Sequence, residues 1–106
     1  TYLSYKIIIT NLSPMNKRKL ALARKKIDKI DNQIFNLIKQ RTKIVKVMMN
    51  IKSLKKQIVD HKRINQILGK IKKKSIAGGV DVKITRKIWK SMIWSYVDFQ
   101  KRNFKK

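Results

Sequence analysis

The sequence predicts an all-α fold, a three-helix subunit dominated by one very long N-terminal helix. Three observations carry this. From about Asn16 to Leu54 the chain has no Gly and no Pro. Over that stretch the apolar residues Leu20, Ile27, Ile30, Ile34, Leu37, Ile38, Ile44, Val45, Met48 and Ile51 recur at helical spacing. Two shorter stretches with the same period follow, set off by a polar joint and by a glycine pair.

The first helix has a start signal in Ser13-Pro14, a good cap followed by a residue suited to the first helical position. Run from residue 14 to Leu54, it would be roughly 60 Å long at 1.5 Å per residue. A compact monomer of this size has a radius of gyration near 13 Å. Such a helix cannot cover its apolar stripe with its own short chain, so length alone predicts a partner, most simply the same helix of a second copy: a homodimer.

Cations interrupt the stripe. With Leu20 at zero and ~100° per residue, Arg24 falls at ~40°, Arg41 at ~300° and Lys52 at ~320°. Ile27, Ile34 and Val45 lie at about 340°, 320° and 340° on the same wheel. A cation facing a core is costly unless an anion meets it. The chain has five acids, all Asp, against 29 Lys and Arg, too few to serve all three stripe cations. An anionic ligand held inside a helix bundle is the inference.

Ser53–Gln57 reads as a polar joint. Asp60 is a good cap or first-turn anion for a second helix over about Asp60–Lys74, with Ile64, Ile67, Leu68 and Ile71 as its core and Gly78-Gly79 as its stop. The third helix spans about Asp81–Asn103. Its stripe is Ile88, Trp89, Met92, Ile93, Tyr96 and Val97, continued by Gln100. Tyr96 and Gln100 are i,i+4 neighbours on one face. Residues 1–14 are unlike the rest and read as an N-terminal extension, poorly ordered or loosely packed, with a short strand conceivable over Tyr5–Thr10. Residues 15–106 form the helical domain.

Composition closes several routes. No Cys means no disulfide and no thiolate chemistry, and fits a reducing cytoplasm. A single His61 cannot build a His-rich metal site. No apolar run approaches the ~20 residues of a membrane span. The net charge of +24 invites a nucleic-acid reading, a basic helical dimer on DNA or RNA. The lysines, however, are spread along the whole chain rather than gathered on one face. The charge is read as mostly background, and nucleic acid is disfavoured as a partner.

The arrangement Arg24-x-x-Ile27-Asp28-x-Ile30-Asp31, then Leu37-Ile38-x-x-Arg41, then Lys52, resembles the all-helical (AroQ-class, type II) chorismate mutase family. The resemblance continues through Asp60-x-x-Arg63, Gly79-x-Asp81 and Ile88-Trp89-x-x-Met92-Ile93 to Gln100, covering about residues 18–102. The steps of 17 and 11 residues from Arg24 to Arg41 to Lys52 make the set specific.

The resemblance implies an intertwined homodimer of three-helix subunits with two shared active sites for a small dianionic substrate. Arg24 would cross from the partner subunit to a carboxylate, and Arg41 would bind a carboxylate from its own. Lys52 would donate to the ether oxygen and a carboxylate, with Gln100 as the second donor to that oxygen. Arg63 would assist the anionic end, and Asp60 would lie near the ring hydroxyl. The implied reaction, chorismate to prephenate in aromatic amino-acid synthesis, needs neither cofactor nor metal.

Two departures stand out. Many family members carry Glu directly after the arginine of the second helix, where this chain has Ile64. Many carry Ser four residues before the final Gln, where this chain has Tyr96, with Ser95 one place off. An aliphatic residue after the Arg together with Tyr-x-x-x-Gln resembles the isochorismate-pyruvate lyases of salicylate synthesis, which makes isochorismate the alternative substrate and Tyr96 a candidate substrate contact.

Overall fold

The structure, a computed structural model, describes residues 12–105. Three α-helices account for most of them: α1, Pro14–Ile51; α2, His61–Gly78; and α3, Val82–Asn103. A short 3-10 turn, Lys55–Gln57, follows α1. Among the described residues there is no strand, so the all-α, three-helix expectation holds. The possible strand over Tyr5–Thr10, and all but the last residues of the expected arm, lie outside the described residues. The chain divides into two units, one ending at Arg41 and the other beginning at Thr42.

α1 starts where its signals put it. Pro14 is the first helical residue, and the Ser13 hydroxyl accepts the Asn16 N–H at 3.2 Å. The helix stops at Ile51, three residues short of the expected Leu54. The cause is Gln57, whose Oε1 accepts the main-chain N–H groups of Ser53 (3.0 Å) and Leu54 (2.9 Å). That side chain gives the backbone an alternative to helical bonding, as capping amides do.

In the first unit, from Pro14 to Arg41, no described residue is buried. The predicted stripe is a stripe, but an open one: Ile27 is 56% exposed, Ile34 48% and Leu37 61%. Its apolar residues have the right period and stand exposed among the described residues.

The second unit holds the core: Val45 of α1, Ile58 of the joint, Ile64 of α2, and Ile93 and Val97 of α3. α2 and α3 pack on each other. A part-buried hydroxyl pair ties them, Ser75 Oγ to Thr85 Oγ1 at 2.7 Å, with Ser75 also donating to the Ile71 carbonyl at 2.6 Å. Ser75 continues the Ile64, Ile67, Leu68, Ile71 stripe by one more turn, so α2 runs to Gly78 rather than to the expected Lys74. The stop is Gly79 at φ +68°, with its N–H on the Ile76 carbonyl and the Val80 N–H on the Ser75 carbonyl at 2.9 Å. A left-handed residue closing two carbonyls in this way is a glycine device. Asp81 caps α3 through Lys83 N at 2.7 Å.

Candidate functional site

In the second unit, Lys52 and Gln100 meet. The half-buried Lys52 ammonium donates to Gln100 Oε1 at 3.1 Å. Gln100 is 7% exposed on the inner face of α3, and its Nε2 donates to the carbonyl of Tyr96, one turn back, at 3.2 Å. These two bonds fix the orientation of the amide. The ammonium can only donate and the carbonyl can only accept, so the reversed amide would set donor against donor and acceptor against acceptor.

The pair retains donor capacity. An ammonium has three N–H bonds and a primary amide two. After the bonds above, two ammonium hydrogens and one amide hydrogen are committed to no described residue. Lys52 meets an amide rather than a carboxylate, so its charge is not neutralised by an acid of the described chain. Three of the five aspartates are engaged elsewhere: Asp60 caps α2, Asp81 caps α3 and Asp98 pairs with Arg102 at 2.8 Å. A positive, half-sheltered donor set of this kind can stabilise an oxygen that gains negative charge.

Asp60 accepts the Arg63 main-chain N–H at 3.0 Å, so its carboxylate serves as the cap of α2, one of the two roles read for it. The Asp60 and Arg63 side chains are both exposed. Tyr96 is half-buried, and its hydroxyl lies 2.6 Å from the hydroxyl of Thr42. Ile64, in the place of the family's Glu, is part of the apolar core. Arg24 and Arg41 belong to the first unit and are half-buried on α1. The second unit thus brings together Lys52, Gln100 and Tyr96.

Thr42 is the residue that sequence reasoning missed. Its signal was present: on the wheel used above it falls at ~40°, a polar residue on the stripe beside the Arg24 position. Ser75 was legible in the same way. His61 is solvent-exposed, with its ring 6.4 Å from that of Trp94.

The model of the chorismate mutase type II family matches residues 23–101. The chain belongs to that family. The match covers all seven of the expected site positions from Arg24 to Gln100 and excludes the N-terminal arm. At family level the activity is that of a chorismate mutase, an isomerase. No curated protein and no solved structure matches the chain. Among the described residues of this chorismate mutase family member, no helix is long and apolar enough to cross a membrane.

Proposed function

We propose that the protein converts chorismate to prephenate, as a homodimer, by holding the compact conformer of its dianionic substrate against a cage of fixed donors. The observation that carries this reading is the Lys52–Gln100 pair: a positive charge and a buried amide side by side, with donors to spare. The rearrangement breaks a C–O bond and makes a C–C bond in one pericyclic step. It asks for no nucleophile and no proton transfer. Negative charge grows on the departing ether oxygen, and a pre-set donor pair there lowers the barrier without reorganising.

In this reading Lys52 and Gln100 are the donors to the ether oxygen. Arg41, and Arg24 of a second copy, take the carboxylates, for which a guanidinium fork is suited. Arg63 adds charge at the anionic end, and Asp60 offers its remaining carboxylate oxygen to the ring hydroxyl. Tyr96 contributes its ring as a wall, since its hydroxyl is engaged with Thr42. The homodimer is supported by the open apolar stripe of α1, which is exposed among the described residues. A cytoplasmic setting, where chorismate is made and consumed, accompanies the reading.

One observation favours a second reading. Ile64 is apolar and buried where the family's hydroxyl-binding Glu would stand. Isochorismate carries its hydroxyl on a different ring carbon, so elimination of pyruvate from isochorismate would not need that Glu. The test is incubation of the purified protein with chorismate and, separately, with isochorismate, followed by ultraviolet absorbance and salicylate fluorescence. Chorismate loss with prephenate formation is the expected result. Salicylate release from isochorismate would transfer the assignment to the lyase. Turnover of neither would overturn both.

A further inference from the structure

We propose that Thr42 is a positioning residue for the Lys52–Gln100 pair, acting through Tyr96. The inference rests on the functional reading above and gives Thr42 a role at the site that the reading does not assign.

Four residues are linked, Tyr96 by its hydroxyl on one side and by its main-chain carbonyl on the other. Thr42 Oγ1 lies 2.6 Å from the Tyr96 hydroxyl, the Tyr96 carbonyl accepts Gln100 Nε2 at 3.2 Å, and Gln100 Oε1 accepts Lys52 Nζ at 3.1 Å. Tyr96 and Gln100 are one turn apart on α3, so pinning the first restricts rotation and sliding at the second. Thr42 and Lys52 are carried by the last turns of α1 and the residue just past its end. The two segments are therefore tied at two points, one hydroxyl to hydroxyl and one ammonium to amide.

The two ties differ in what substrate does to them. An oxygen bound beside Lys52 and Gln100 takes their uncommitted hydrogens and so pulls on that tie during the reaction cycle. The Thr42–Tyr96 tie involves neither donor and stays closed. It holds the register of α3 on the end of α1 against that pull, keeping the two donors pre-set. Packing alone does not call for threonine at this stripe position. Valine has nearly the same shape, so the hydroxyl is the distinguishing group.

The experiment compares Thr42→Val, Thr42→Ser, Tyr96→Phe and the Thr42→Val/Tyr96→Phe double variant. Each is read by kcat and KM on chorismate and isochorismate, by thermal melting, and by the side-chain amide resonances of Gln100. Thr42→Val is expected to lower kcat about five- to tenfold, the rate equivalent of one neutral hydrogen bond, with KM nearly unchanged. Thr42→Ser restores the rate, and the double variant is no worse than either single one. The Gln100 amide signals, distinct and protected in the wild type, collapse toward exchange-averaged positions in Thr42→Val.

A folded Thr42→Val with wild-type kcat and unchanged amide signals would overturn the proposal. So would a Thr42→Ser as slow as Thr42→Val. If the wild type turns over neither substrate, the functional reading fails. The amide signals then decide the positioning on their own: loss in Thr42→Val sustains it, and no change sinks it.

Discussion

Replacing Gln100 by Leu separates catalysis from stability. The side chain is 7% exposed and makes two hydrogen bonds, so at first sight its loss would injure the fold. Neither partner is stranded by the change. Lys52 is half-buried and its ammonium can turn to water. The Tyr96 carbonyl keeps the main-chain hydrogen bond of its helix. Leu is of similar size and apolar, and it joins Val97 and Ile93 on the buried face of α3. The cost to folding is therefore expected to stay within about 1 kcal/mol, the scale of an exchanged neutral hydrogen bond with no orphaned partner. The catalytic cost is of another order. Removing one pre-set donor from a developing oxyanion costs about 2.7–4 kcal/mol, or roughly 10² to 10³ in kcat. Urea unfolding gives the first quantity, and the rate of chorismate disappearance by ultraviolet absorbance gives the second. A Gln100→Leu protein that unfolds near the wild-type midpoint and turns over at the wild-type rate would refute the role given to the amide. One that loses several kcal/mol of stability would refute the account of its partners.

Three other outcomes are expected. Gln100→Glu should be active only toward acid, because a carboxyl donates to an oxygen only when protonated and Lys52 beside it favours the ionised form; a pH–rate profile that rises as pH falls is the predicted result. Under the proposed homodimer, Ile30→Glu with Ile34→Glu should give monomers on sedimentation and abolish turnover, since Arg24 of a second copy is then absent; a fully active monomer would count against the shared site. Gly78→Ala, in helical backbone with open space around it, should stabilise by up to about 1 kcal/mol, whereas Gly79→Ala, at φ +68°, should destabilise by about 1–2 kcal/mol, both read from thermal melting.

Much of the fold was legible because its signals are local. Ser13-Pro14, Asp60, Asp81 and Gly79 punctuate the helices through side chains or backbone within a few residues, and such devices leave their mark in sequence. The end of α1 was read three residues late because it depends on a glutamine reaching back to Ser53 and Leu54, a contact that no periodicity encodes. In the site, the Lys52 and Gln100 positions followed from a polar residue standing on an apolar stripe. Their mutual contact did not, since 48 residues separate them and only tertiary packing joins them. The same holds for Thr42 and Tyr96, 54 apart. Each residue was conspicuous on its own wheel, and the pairing was not. Burial along α1 was the other thing that periodicity could not give: the pattern says which face is apolar, not what covers it.

The open stripe of α1 has a consequence in time. A chain is synthesised from its N-terminus, so residues 14–41 leave the ribosome before the residues that carry every buried side chain of the second unit. For that interval the exposed apolar stripe of α1 precedes the core of the second unit. The lysines and arginines distributed along that segment, Lys17, Arg18, Lys19, Lys25, Lys26 and Lys29 among them, then act as gatekeepers. Their mutual repulsion opposes indiscriminate sticking of one exposed stripe to another.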